Sequence, residues 1–199
     1  MGKSVWSESF GFMAVPRTEE EMKWQVRFIA EVEAETTRGA VLNITSFIDE
    51  LLIKLLSSYF PNSEHAKSLL TNMDGCMSSI MDRANIAYVL ALLRKKEFDA
   101  IRIIARIRNE FAHKWDSSGF DSGGVPKLIN KLPKEYLEYV DGTNKAKFNC
   151  VSSQIIQELL ERHRYAKGIH DHLPKEYKDI FDLPLDERQK ILARENGET

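Results

Sequence analysis

EFDAIRIIARIRNEFAHKW, residues 97–115, is the stretch on which the fold turns. Ile101, Ile104 and Phe111 recur at helical spacing, with Ile103, Ala105 and Ile107 flanking them, so one face of a helix is made to pack into a core. The stretch closes on Arg108-Asn109-Glu110-Phe111-Ala112-His113, and residues 116–125 just beyond hold three glycines and three serines in ten positions, a loop composition. Asn109 and His113 stand four apart and share a helix face, while Arg108 lies about 100° round the axis from Asn109. Arginine and histidine at a helix end form a candidate phosphate-handling pair. The imidazole can give or take a proton near neutral pH, with Asn109 placed to orient it. The guanidinium can fork onto a phosphate and offset charge building there. The same two cations also stabilise a helix C-terminus by about 0.3–1 kcal/mol each with no chemistry at all.

Working outward, the spacing predicts helices on both sides and no strand. Thr18 and Glu21 have capping-box spacing, opening a helix to about Glu35 with Met22, Val26, Ile29, Trp24, Phe28 and Val32 as its buried set. After a break or kink at residues 36–39, Val41, Ile44, Ile48, Leu51, Leu52, Leu55 and Tyr59 form a clean stripe ending at Phe60-Pro61. A short helix is expected over 64–70. Another is expected over 77–93, with Ile80, Met81, Ala84, Ala87, Tyr88, Ala91 and Leu92 inward and Arg94-Lys95-Lys96 closing it. Two short helical pieces follow within 126–140, then a long helix over 145–167 carrying Phe148, Val151, Ile155, Ile156 and Leu159. The expected fold is all-α: a single multi-helix bundle over 18–167, an irregular aromatic arm over 1–17, and a charged extension with short helices over 168–199.

Charge and composition narrow the function. With 28 basic against 30 acidic side chains the net charge is −2, so no global basic field draws in nucleic acid, and any such contact needs a local patch or a dimer that concentrates one. No helix-turn-helix with a basic recognition helix stands out, so DNA contact has no recognition motif behind it. The longest apolar stretch, 47–56, is broken by Asp49, Glu50 and Lys54; no membrane partner and a cytoplasmic location are expected. Cys76 and Cys150, far apart, are read as two buried thiols in a reducing compartment. No metal and no cofactor are expected, and the spacing of His163, His170 and His172 with Asp171 matches no strong ligand pattern. Asp49 and Glu50 are the supporting acids, either an acid pair reaching the cleft of Arg108 or, more often for such residues, a structural partner of Arg108 or Arg38.

The run Arg108-Asn109-Glu110-Phe111-Ala112-His113 resembles the Arg-x4-6-His motif of the HEPN superfamily. That resemblance implies a helical bundle, often dimeric, with the motif near the end of a core helix. Many such domains are metal-independent ribonucleases; others are inactive binding or regulatory modules. Mapped on this chain, Arg108 is the motif arginine, Asn109 its polar neighbour and His113 the motif histidine. A wider similarity over residues 38–133 is to the MltR family, the mannitol operon repressor-like proteins. It is carried by Arg38-Gly39-Ala40, Phe47-Ile48-Asp49-Glu50-Leu51-Leu52, residues 78–93, Ile107 to His113, and Leu132-Pro133. It implies a compact helical regulator without a standard DNA-reading motif. The leading expectation is such a regulator in transcriptional, stress or defence control, acting through protein, RNA or other nucleic-acid partners as a homodimer whose interface brings two copies of Arg108 and His113 together. The alternative is a metal-independent endoribonuclease in which Arg108, Asn109 and His113 are catalytic.

Overall fold

The computed structural model describes residues 10–11, 16–72, 75–113, 119–138, 140, 142–173, 176 and 179–195. Among these the chain is an all-α bundle without strands. Its helices are α1 (Glu19–Ala34), α2 (Thr37–Tyr59), α3 (Ser63–Thr71), α4 (Ile80–Val89), α5 (Lys95–His113), α6 (Val125–Ile129), α7 (Asn144–His170) and α8 (Leu185–Glu195), with 3-10 turns at Lys134–Tyr136 and Ile180–Asp182.

Caps written in the sequence set most boundaries. Thr18 accepts the amide of Glu21, and Thr36 accepts the amide of Gly39, so the break at residues 36–39 is a true end and restart rather than a kink. Ser79 and Asp82 form a reciprocal capping box that starts α4 three residues later than the apolar pattern suggests. At the other end Leu92 donates to the Ala87 carbonyl at 2.8 Å and Ala91 to that of Tyr88 at 3.0 Å, while Ala91 takes a φ of 57°. This is a left-handed stop with alanine where glycine is usual. Consequently Arg94, Lys95 and Lys96 do not close α4, as expected from their charge. They begin α5.

The central axis of the bundle is not α5 but the pairing of α2 with α7, the most extensive helix contact. Ile44, Ile48, Leu52, Leu55 and Leu56 of α2 and Phe148, Val151, Ile155 and Ile156 of α7 are all but fully buried. Nearly the whole circumference of α7 is enclosed between residues 148 and 153, including Asn149, Cys150, Ser152 and Ser153. A helix apolar or enclosed all round belongs in the middle of a bundle. The α5 face then packs against α2, α4 and α7 with Ile101, Ile104, Ile107 and Phe111 inward, as its spacing predicts.

The outer layers depart more from expectation. On α1, Val32 is buried and Phe28 and Ile29 are partly so, but Met22 and Val26 are 48% and 62% exposed. The helix meets the body through Trp24 and Phe28, which pack on Phe47 at 5.4 and 4.6 Å, and Phe10 meets Phe28 edge-on at 5.9 Å. Phe10 thus docks the aromatic arm on the body; Trp6 and Phe12 lie outside the described residues. On α4, Tyr88 and Ala91 are exposed rather than inward. Phe120, in the Gly/Ser segment, is a core residue, packed between Phe111 (5.2 Å) and Phe148 (5.3 Å). Helix α7 runs through Gly168 to His170. No helix among the described residues is long and apolar enough to cross a membrane.

Candidate functional site

The last turns of α5 carry Arg108, Asn109 and His113, all three exposed. Arg108 lines a polar cleft of about 420 Å³ between α2, α4 and α5, walled by Thr45, Ser46, Asp49, Ser78 and Ser79. Its Nη1 donates to the Asn109 side-chain oxygen at 3.3 Å, and no carboxylate pairs with it among the described residues. Five helical positions place His113 about 140° round the axis and about 7.5 Å further along, beyond that cleft's described lining. Asn109 therefore turns to Arg108, and no bond from it to His113 is found among the described residues. Among the described residues Arg108 lines this cleft and His113 does not.

Asp49 does reach this cleft, yet its partner is neither Arg108 nor Arg38. Arg83, one turn into α4 and 5% exposed, sends one Nη nitrogen to both Asp49 oxygens at 2.6 Å each. Its Nε and other Nη nitrogen donate to the Leu70 carbonyl at 3.2 and 2.6 Å, and the latter also to the Ser78 carbonyl at 3.0 Å. A guanidinium is built for this, since its fixed fork satisfies several acceptors at once. Arg83 thus ties α4 to α2 and to the orphan carbonyls ending α3. Glu50 is exposed on the outside of α2. Sequence spacing held the clue: Arg83 falls between Ile80 and Ala87 on the apolar face, where only a paired arginine fits.

A second polar cluster, which the sequence reading missed, lies where α5 begins. Glu97 is 2% exposed and takes the Arg94 amide at 2.6 Å, the Arg94 Nε at 2.7 Å and an Arg162 Nη at 2.7 Å. Arg94 also bridges to Glu158 at 2.7 Å, and the Tyr136 hydroxyl donates to Glu158 at 2.9 Å. Burial and hydrogen bonding with Glu158 push the Glu97 carboxyl up, against the bonds from Arg94 and the charge of Arg162. Burial works to lift Glu158 as well, but hydrogen bonding with Glu97 and Tyr136 and the charges of Arg94 and Lys96 outweigh it and hold that carboxyl low. Burial, then the Glu158 charge, pushes the Tyr136 phenol far up. Two neighbouring carboxyls inside one basic cage are thus pushed in opposite directions. Arg162 of α7 is turned inward here, onto Glu97.

The histidines of the C-terminal part are occupied one by one. His163 Nδ1 meets the Ser58 hydroxyl at 2.7 Å, His170 Nδ1 faces the Tyr59 carbonyl at 3.4 Å, and His172 Nδ1 faces its own helix at Gly168 at 2.9 Å. Burial and the charges of Lys54, Lys167 and Arg164 push His163 down from its ordinary value. No group of three or more His, Cys, Asp or Glu suited to a metal occurs among the described residues. Both thiols are free; Cys150 is buried, but Cys76 is exposed, contrary to expectation.

No known protein family, no curated protein and no solved structure matches the chain. What the fold and site define is therefore a class: an all-α bundle with an exposed arginine–asparagine–histidine constellation at the end of a core helix.

Proposed function

We propose that this chain is a helical regulatory protein of MltR-like type that acts by binding a partner rather than by cutting RNA. The observation that carries the reading is the separation of Arg108 from His113. An acid–base step at phosphate needs the proton-transfer group and the charge-stabilising group within hydrogen-bond reach of one reacting centre. Here Arg108 faces the cleft of α2 and α4, while His113 stands at the tip of α5 beyond it. Asp49, the acid that lines the same cleft, is paired with Arg83. The cleft has the polar rim of a binding site and a guanidinium that no carboxylate holds among the described residues. The working unit in this reading is a homodimer, as the HEPN resemblance implies; light scattering should give twice the chain mass of 22.9 kDa.

The test is incubation of the full chain with end-labelled RNA in EDTA. The proposal expects intact RNA, with identical results for wild type, Arg108→Ala and His113→Ala. Cleavage leaving cyclic phosphate ends, lost in both variants while each stays folded by circular dichroism, would overturn it in favour of a metal-independent ribonuclease.

A further inference from the structure

The outer face of α5 adjoins the cleft of Arg108 at Asn109, which lines both, and runs from there along the opposite edge of the helix. Positions 95, 99, 102, 106, 109 and 113 step by four and three, so Lys95, Arg102 and Arg106 share one exposed stripe with Asn109 and His113. That stripe forms one wall of an open groove whose other wall is α6 and the segment leading to Pro133. The groove measures about 850 Å³ beside Arg94, Lys96 and Lys131, and continues for about 370 Å³ past Arg106 to Lys127.

Three acids also lie along it, and their commitments decide the local sign. Asp99 holds Lys95 and, at 3.0 Å, Arg102. Glu110 accepts the Gly124 amide at 3.4 Å, and Glu135 sits at the far edge. Arg106, Lys127 and Lys131 make no hydrogen bond or ion pair among the described residues. Three uncommitted cations converge across one groove on a chain whose net charge is −2. Separating charge this way yields a local positive field that composition hides. No aromatic side chain lines the groove among the described residues, so none of these supplies the stacking platform that single-strand recognition uses. Lysine and arginine facing each other across a trough about 16 Å long, from Lys95 to Arg106 at helical rise, suit a charged backbone of regular spacing.

We infer that the groove between the outer face of α5, α6 and residues 131–135 binds the phosphate backbone of a nucleic-acid duplex without reading its bases. This rests on reading the chain as a binding protein and supplies that reading with a partner. It uses residues other than Arg108 and His113.

The experiment is fluorescence anisotropy of the full chain with labelled duplexes of about 20 base pairs, one of DNA and one of RNA, at about 50 and 200 mM salt. The matching single strand and poly-glutamate serve as competitors. Saturable duplex binding that weakens steeply with salt is expected. It should fall by roughly tenfold or more in Arg106→Glu/Lys131→Glu and stay unchanged in Lys67→Glu on α3. The milder Arg106→Gln/Lys131→Gln should fold as wild type and reduce the salt slope by about 2. Which duplex binds more tightly tells DNA from RNA. No binding at low salt, binding indifferent to the charge reversal, or equal or tighter binding of the single strand or poly-glutamate would each overturn the inference. Failure here with RNA left intact in EDTA removes the groove but keeps the regulatory reading; cleavage of the RNA removes that reading instead.

Discussion

Asp49 is gripped at both oxygens by one nitrogen of Arg83, and that decides what kind of residue it is. Arg83 is buried and its remaining donors go to carbonyls, so removing the carboxylate leaves an enclosed positive charge short of its counter-ion. Asp49→Ala is expected to lower stability by about 3 kcal/mol, read as a fall in the urea midpoint with the slope unchanged. A midpoint equal to wild type would mean that the pair is incidental and Asp49 is free for chemistry. At this scale the sequence was half legible. Spacing marks Asp49 as an acid with a structural partner but not which partner, because spacing along one helix says nothing of which neighbouring helix will cross it. Arg83 was readable in principle, since it sits at apolar register on α4.

Helix α5 shows how charge alone misleads about element boundaries. Arg94-Lys95-Lys96 looks like the basic end of a preceding helix, because cations favour helix C-termini. The left-handed turn at Ala91 instead ends α4 early, and the three cations stand at the start of α5, where Glu97, Asp99 and Glu158 neutralise them. The pair of carboxyls beneath carries a pH signature. Glu158 is held below its ordinary value of 4.5, so its contribution to stability is present above that value and is lost as pH falls through its lowered value. Glu97, pushed up, works with the opposite sign, its contribution fading as pH rises through its raised value. Thermal melts across pH should therefore show an acid limb below about 4.5 that is shallower in Glu158→Gln, with that variant less stable at neutral pH. An acid limb of unchanged steepness would show that Glu158 is not the group being protonated.

Over the whole molecule, helix content and the apolar faces of α2, α5 and α7 followed from periodicity, since a buried stripe is written directly in residue spacing. Placement of the layers did not. Phe120 reached the core from a segment whose glycines and serines mark it as loop, and α7 took the centre through small polar residues that no hydropathy pattern ranks. The candidate site was legible as residue types: Arg108, Asn109 and His113 do stand exposed at the end of α5. Their division between two faces was not, although the five-residue spacing contains it. The same helix turns one face to the core, one edge to the polar cleft of Arg108 and its outer stripe to the groove of Arg106 and Lys131. The proposed partner lies on the outer of these surfaces, away from the cleft of Arg108. The most direct measurement is a map of amide chemical-shift changes in the full chain as a duplex is added. Shifts are expected at Arg102, Arg106, Lys127 and Lys131, with Thr45, Ser46, Ser78 and Ser79 unmoved. Shifts centred on the Arg108 cleft together with His113, and absent from Arg106 and Lys131, would contradict it.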